Sequence, residues 1–175
     1  IIEHSVLDGS KNYPVKSPFQ EMLKSSLGSF INAMTGNDYT TFPAASTNEQ
    51  DLKNLMGVYL DAVFFPNVTT DPNIFKQEGW RYDLPSKDSA LSINGVVYNE
   101  MKGDYSNPQW LLRNAVNESL FPDTSYKWDS GGNPENIPSL TREQLISTYK
   151  KNYTPSNSYI YLYGKLDIGQ YLQYI

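Results

Sequence analysis

Cysteine is absent from the 175-residue chain, and histidine occurs only once, at His4. Without cysteine the chain can form no disulfide framework, thiolate nucleophile or zinc–thiolate site. The absence leaves the cellular compartment open. A catalytic or metal-binding role for imidazole can therefore involve only His4 among the residues of this chain.

Positive charge is also scarce, because 14 lysines and arginines face 19 aspartates and glutamates. The resulting net charge of −5 and isoelectric point of about 4.8 give no electrostatic basis for binding nucleic acid or an anionic membrane surface. No apolar run approaches the roughly 18 residues that a membrane helix needs. We therefore predict neither a nucleic-acid partner nor a membrane partner.

Hydrophobic residues make up 39% of the chain and aromatic residues 14%, as expected of one globular domain with a core. We treat residues 1–175 as a single domain. Helical and strand-like patterns interleave without a repeat, which predicts an α+β fold in which an antiparallel β-sheet packs against several helices.

Capping signals predict where most helices begin. Ser17 with Gln20, Ser46 with Glu49, and Thr141 with Gln144 have capping-box spacing, Asn107-Pro108 precedes a fourth helix, and Asp167 is predicted to begin a fifth. In the fourth helix, apolar residues are expected to face a core: Leu111, Leu112, Ala115, Val116 and Leu120. A hairpin is predicted around Gly36-Asn37-Asp38, and strands around Trp80–Leu84 and at Tyr159–Tyr163.

Glu3 and His4 stand side by side near the start of the chain. They could be a catalytic base beside a metal ligand, but a single histidine on a helix surface is more often simply a polar residue. Only a wider pattern can favour the catalytic interpretation.

Five segments supply that pattern. If a histidine precedes Ile1, the chain begins H-I-I-E-H, which resembles the inverted zinc motif of the pitrilysin and insulinase family of metallopeptidases. Five segments of the chain resemble, in order, the presequence protease and falcilysin branch of that family. They are EHSVLDGSKNYPVKSPFQ with the residues up to FFPN, FKQEGWRYDL, GVVYNEMKGDYS, SLFPDTSYKWDSGGNPENIPSLT and YTPSNSYIYLYGKLDI. The resemblance therefore covers almost the whole chain.

The resemblance implies a zinc site in the full-length protein. Histidines at i and i+4 of a helix reach one ion, and the glutamate at i+3 shares their face. By the family's scheme, His4 is a zinc ligand, Glu3 is the general base that acts on zinc-activated water, and Glu100, in GVVYNEMKG, is the third ligand. Without the surrounding match, Glu100 would be an ordinary exposed helix residue. Glu78 lies in another matching segment, but the sequence offers no geometric reason to place it at the metal.

Asn32 and Ala33 lie in a segment that resembles the family's substrate-binding edge strand, where a peptide is added to the sheet. The resemblance therefore makes them candidates for substrate contact. An equally good interpretation is that they are ordinary hairpin residues.

The resemblance implies a truncated N-terminal catalytic domain of a zinc metalloendopeptidase that degrades short unfolded peptides such as targeting presequences. Its partners would be such peptides and the remaining domains of the longer chain. Because one zinc histidine is missing, we expect the 175 residues alone to bind Zn²⁺ poorly and to be inactive. The alternative is a non-catalytic peptide-binding or scaffold homologue. The compartment would be mitochondrial or otherwise organellar in a eukaryote and cytoplasmic in a bacterium.

Overall fold

Short helices and strands alternate along the computed structural model, which describes all residues from Ile1 to Ile175. The helices are α1 (Ile2–Val6), α2 (Pro18–Ser25), α3 (Glu49–Phe64), α4 (Pro72–Glu78), α5 (Val96–Asp104), α6 (Pro108–Leu120), α7 (Arg142–Asn152) and α8 (Ile168–Tyr174). The strands are β1 (Gly28–Ile31), β2 (Met34–Thr35), β3 (Thr40–Thr41), β4 (Ala44–Ser46), β5 (Arg81–Asp83) and β6 (Ser92–Asn94). Single 3₁₀ turns cover Asn67–Thr69, Ser125–Lys127, Ile137–Ser139 and Pro155–Asn157. No helix has the length and apolar character needed to cross a membrane.

All strand pairs are antiparallel, and the predicted α+β class is confirmed. The strands form three two-stranded sheets: β1 with β4, β2 with β3, and β5 with β6. The first two pairs are successive parts of one hairpin, which turns at the predicted Gly36-Asn37-Asp38. In the third pair Arg81 lies opposite Asn94, so that the chain returns to the end of α4 before α5 begins.

Two small clusters of buried side chains hold the helices together. The first consists of Val68, Ile74, Phe75 and Leu145, and the second of Val97, Met101 and Ile137. Ile1 and Trp80 pack against both clusters, so the start of the chain is fixed between α4 and α5.

The surface is large for the mass of the chain. It measures 11464 Å², whereas a folded monomer of 19.9 kDa typically exposes about 8,700 Å². Only 23 of the 175 residues are buried. The apolar side chains of this chain are therefore covered less completely than those of an ordinary monomer.

The predicted helix starts are confirmed at Asn107, Thr141 and Asp167, each of which caps its helix with its side chain. At Ser17 the predicted start of the helix is confirmed but the side-chain cap is not, and the cap predicted at Ser46 is wrong. Asn48 caps α3, two residues after Ser46, because its side chain accepts the amide of Asp51. Ser17 is the residue before α2, but its backbone amide and hydroxyl both bond to Asp8 instead of its hydroxyl capping the helix.

Two predictions about apolar residues are also wrong. Helix α6 has no buried residue, and its apolar stripe, including Leu112 at 65% exposure, faces outward. Tyr159–Tyr163 forms no strand, since none of its residues lies in a β-ladder. In both cases the periodicity is present, but no other part of the described chain covers the apolar face.

Candidate active site

Helix α1 carries Glu3 and His4 and is only five residues long. A helix this short is not stable in isolation, so its position must come from packing. The next two residues, Ser5 and Val6, are completely buried, and Ile1 inserts between the two apolar clusters. The orientation of Glu3 and His4 is therefore set by the apolar residues on either side of them.

A close contact between two glycines brings α4 and α5 to the same place. A Cβ atom on Gly95 would lie 2.2 Å from the carbonyl oxygen of Gly79, which is too close for any other residue. Gly79 follows the last residue of α4, and Gly95 precedes the first residue of α5. Glu78 at the end of α4 and Glu100 in the second turn of α5 are thereby directed toward α1.

The imidazole of His4 lies between these two carboxylates. Its Nδ1 is 3.2 Å from Oε2 of Glu78, and its Nε2 is 3.8 Å from Oε2 of Glu100. The hydrogen bond with Glu78 raises the pKa of His4 above its ordinary value, although partial burial acts in the opposite direction. One nitrogen of the ring is thus engaged by a buried acid, and the other faces a half-exposed acid.

Glu78 is 7% exposed, which is unusual for a carboxylate. Burial alone would raise the pKa of Glu78, but hydrogen bonds from His4 and Gln77 outweigh it, so the pKa lies below its ordinary value. The amide nitrogen Nε2 of Gln77 donates to Oε1 of Glu78 at 2.8 Å. Glu78 is therefore held as an anion with both oxygens occupied by donors.

The positions of His4 and Glu100 fit a shared zinc ion. Two ligands at ordinary Zn–N and Zn–O distances in a tetrahedral site are about 3.4 Å apart, close to the 3.8 Å between Nε2 and Oε2. Because Nδ1 faces an ionised acceptor, the lone pair of Nε2 is free in the neutral ring. The structure contains no group of three or more histidine, cysteine, aspartate or glutamate side chains that could hold a metal, so it brings together two of the predicted ligands and no complete set.

Glu3 contacts a different part of the molecule. Its carboxylate accepts a hydrogen bond from the hydroxyl of Thr35 in β2. Nearby, the phenol of Tyr153 donates to the hydroxyl of Thr40 in β3 at 2.8 Å, and the charge of Glu3 contributes to the raised pKa of Tyr153 after burial, the main cause. The acid predicted as the base therefore lies where α1 meets the β2–β3 hairpin.

Asn32 and Ala33 lie between β1 and β2 on the same hairpin. The amide of Asn32 donates to the carbonyl of Pro43 at 3.0 Å, and its carbonyl accepts the phenol of Tyr59 at 2.9 Å. The amide of Ala33 bonds only to the side chain of Asn32, at 2.9 Å. Asn32 thus braces the hairpin through both of its backbone groups, whereas Ala33 interrupts the ladder.

Three residues of this region had no role assigned from the sequence: Gln77 and Thr35 were not singled out, and Glu78 was named without a geometric reason to place it at the metal. A signal for Glu78 did exist. It is the last residue of α4, where the negative end of the helix dipole disfavours an acid. A glutamate at the end of a helix therefore indicates a compensating interaction, and in this structure that interaction is the contact with His4. Thr35 had no such signal, because one threonine in a strand is common.

A family model described as "Peptidase M16 inactive domain" matches residues 139–175. The match begins after Glu3, His4 and Glu100, and it covers only the part of the chain that contains α7 and α8.

Longer proteins match the chain over nearly its whole length. It is 52% identical to Protein HypA of Clostridium perfringens over 100% of the chain and 18% of that protein. It is 50% identical to Presequence protease 1, chloroplastic/mitochondrial, of Arabidopsis thaliana over 95% of the chain and 16% of that protein. The mitochondrial presequence protease of Drosophila melanogaster is 49% identical over 98% of the chain and 17% of the protein. The chain therefore spans less than a fifth of these relatives.

Among solved structures, the crystal structure of pitrilysin is similar in fold. The similarity has a TM-score of 0.58 and 21% sequence identity, over 89% of this chain and 15% of that one. At this identity the comparison supports the arrangement of helices and antiparallel strands only.

Proposed function

We propose that this chain, which is 50% identical to a presequence protease and carries a match to an M16 peptidase domain, forms part of the catalytic domain of a zinc metalloendopeptidase that hydrolyses short unfolded peptides. M16 peptidases are generally zinc-dependent. The relatives are more than five times as long as the chain, and the exposed surface exceeds that of an ordinary monomer. Both observations support the proposal that the 175 residues act within a longer protein.

The observation that carries this proposal is the position of His4. Nδ1 is engaged by Glu78 at 3.2 Å, and Nε2 faces Glu100 across 3.8 Å. A neutral ring with its proton on Nδ1 presents a lone pair at Nε2, which is the state that a zinc ligand requires. We assign His4 and Glu100 as two zinc ligands on this basis.

His4 and Glu100 would help to hold a zinc ion, which would supply a coordinated water of lowered pKa and polarise the scissile carbonyl. In the proposed reaction the carboxylate of Glu3 accepts a proton from the attacking water. The same carboxylate then delivers that proton to the nitrogen of the departing amine. Thr35, which donates to Glu3, holds the carboxylate on the side of the β2–β3 hairpin.

A catalytic zinc site needs a third protein ligand, and the family resemblance implies that this ligand is a histidine four residues before His4 on the same helix.

The proposed substrate is an extended peptide that pairs with the hairpin near Asn32 and Ala33. Apart from Asn32, whose two backbone groups are already engaged, residues 28–35 pair on one side only, with residues 40–46, which leaves the second edge to a further strand. Targeting presequences are candidate substrates, because the relatives from Arabidopsis thaliana and Drosophila melanogaster are named presequence proteases. Because these two relatives are named as organellar, we propose an organellar location if the protein comes from a eukaryote, and by the family resemblance a cytoplasmic one if it comes from a bacterium.

The test uses the longer protein that contains this chain. Zinc content is measured by elemental analysis, and hydrolysis is followed with a fluorogenic peptide that has no structure. Glu3→Gln should retain zinc and lose hydrolysis by about 10²- to 10⁴-fold, because a general base contributes that much. His4→Ala and Glu100→Ala should lose zinc. Glu118→Gln, an exposed glutamate on α6, is the matched control and should behave as wild type.

The alternative is a non-catalytic, peptide-binding or scaffold homologue of the same family; the match to a domain described as inactive covers residues 139–175 and none of the residues Glu3, His4 and Glu100. The same experiment separates the two functions. Wild-type protein that contains no zinc and cleaves no peptide, but binds the peptide, would support the non-catalytic function. Full hydrolysis by the zinc-loaded Glu3→Gln protein would refute the assigned base.

A further inference from the structure

Glu78 lacks the partner that a buried acid normally has. Its carboxylate is in ion-pair range of His4 only, and no lysine or arginine reaches it. A buried carboxylate without a cation is costly, so buried acids are usually paired or lie at a metal. A doubly charged metal ion bound to Nε2 of His4, on the side of the ring away from Glu78, would supply the positive charge that the Glu78 carboxylate lacks.

The orientation of Glu78 is fixed by a second residue. The amide nitrogen of Gln77 donates to Oε1 of Glu78 at 2.8 Å and to Oδ2 of Asp8 at 3.3 Å. Since both neighbours are carboxylates, only the NH₂ end of the amide can face them, which removes the usual ambiguity of a glutamine side chain. Oε2 of Glu78 is thereby left for Nδ1 of His4.

Asp8 connects this arrangement to the chain that follows α1. Its other oxygen, Oδ1, accepts the backbone amide of Ser17 at 2.9 Å and the hydroxyl of Ser17 at 3.2 Å. His4 and Asp8 belong to the segment that contains α1, and they bond to Glu78 and Gln77, respectively, at the end of α4. The pairing fixes the position of α1 against α4 and, with it, the direction of the imidazole.

We propose that Glu78 is a positioning residue for His4, and that the Gln77 amide, anchored on Asp8, holds Glu78 in the orientation that leaves Nε2 of His4 free for zinc. This inference rests on the proposed function, because it needs His4 to be a ligand. Carboxylates that orient a metal-binding histidine typically change metal affinity by 10- to 100-fold when they are replaced.

The experiment measures zinc affinity in the longer protein by competition with a chromogenic chelator at one pH, and the melting temperature of the metal-free protein. Glu78→Gln should weaken zinc binding by about 10- to 100-fold, because its amide offers hydrogens where His4 and Gln77 need acceptors. Glu78→Asp keeps the carboxylate and should recover part of the affinity. Gln77→Leu leaves Glu78 intact and should weaken zinc binding less than Glu78→Gln does, by about tenfold at most.

Asp61→Asn is the matched control. Asp61 is also 7% exposed and accepts two hydrogen bonds from Asn12, at 2.8 and 2.7 Å, away from His4. This variant should lower the melting temperature and leave zinc affinity unchanged. If Glu78→Gln does not fold, Gln77→Leu and Glu78→Asp carry the test.

The outcomes separate the two proposals. If His4→Ala binds zinc as tightly as wild type, the assigned metal site is wrong, and with it the proposed function. If His4→Ala loses zinc while Glu78→Gln and Gln77→Leu bind it as tightly as Asp61→Asn, only the positioning role is overturned. A loss of affinity in Glu78→Gln that Glu78→Asp partly restores supports the positioning role.

Discussion

Two regions of the molecule, the junction of α1, α4 and α5 and the C-terminal segment of residues 159–163, differ in how their apolar side chains are covered. At the junction, Phe75 is 7% exposed and Val68 is completely buried. In the C-terminal segment Tyr159, Tyr161 and Tyr163 are 103%, 83% and 84% exposed, although their alternation is typical of a strand. A regular pattern therefore becomes structure only where another surface covers it.

The comparison also explains where a site can be built. The contact between His4 and Glu78 needs two segments that do not move relative to each other, and the two apolar clusters hold those segments. Residues 159–163 have no comparable neighbours, and Ile160 and Leu162 only line an open apolar groove together with Leu172 and Tyr174. The following predictions test this contrast, from the largest expected effect to the smallest.

Replacing Phe75 by alanine should lower the free energy of unfolding by about 3–5 kcal/mol, because it empties the centre of the first cluster. Urea unfolding of the 175-residue chain measures the change. A cost below about 1 kcal/mol would mean that the junction is as loosely packed as the C-terminal segment.

Thr141→Ala should cost about 1 kcal/mol. Thr141 and Gln144 form a complete capping box at the start of α7, and that helix contributes Leu145 to the first cluster. The same urea titration applies, with Thr148→Ala, in the middle of the helix and outside the cap, as the comparison. Equal effects of the two variants would show that the cap does not stabilise the junction.

The pair of His4 and Glu78 should stabilise the metal-free protein within a limited pH window. The raised pKa of His4 means that its contribution is complete below 6.5 and is lost as pH rises through the folded value. The lowered pKa of Glu78 means that its contribution is present above 4.5 and is lost as pH falls through the folded value. The stabilisation should therefore be largest between 4.5 and 6.5.

Because a third of the His4 side chain is exposed, the coupling should stay below about 1 kcal/mol. A double-mutant cycle of His4→Ala and Glu78→Gln, followed by unfolding from pH 4 to 8, measures it. A coupling energy that does not vary with pH would contradict the prediction.

Tyr161→Ala should change the free energy of unfolding by less than about 0.5 kcal/mol, because the ring has almost no buried contact to lose. It matches Phe75→Ala in removing one aromatic ring. If its cost approached that of Phe75→Ala, the C-terminal segment would be packed in solution and the contrast between the two regions would fail.

Several elements could be predicted from the sequence because their signals are local. The cap of α7 and the proline at the start of α6 need only a few neighbouring residues. The side-chain caps predicted at Ser17 and Ser46 do not form, because other hydrogen-bond partners are available. In α3, Asn48 accepts the amide of Asp51 in place of Ser46, and the amide of Ser17 donates to Asp8. A local sequence pattern therefore predicts a candidate cap, but whether the cap forms depends on which other hydrogen-bond partners the fold brings near.

For the site, the sequence by itself determined that Glu3 and His4 are neighbours on one helix. It also determined that the segment around Glu100 resembles a segment that carries a metal ligand in the family. Only the tertiary structure decided that Glu78, rather than another acid, reaches His4. That contact depends on the return of the β5–β6 hairpin and on the approach of Gly95 to Gly79. These are long-range packing events, and neither helical period nor capping chemistry encodes the distance between two atoms that are far apart in the chain.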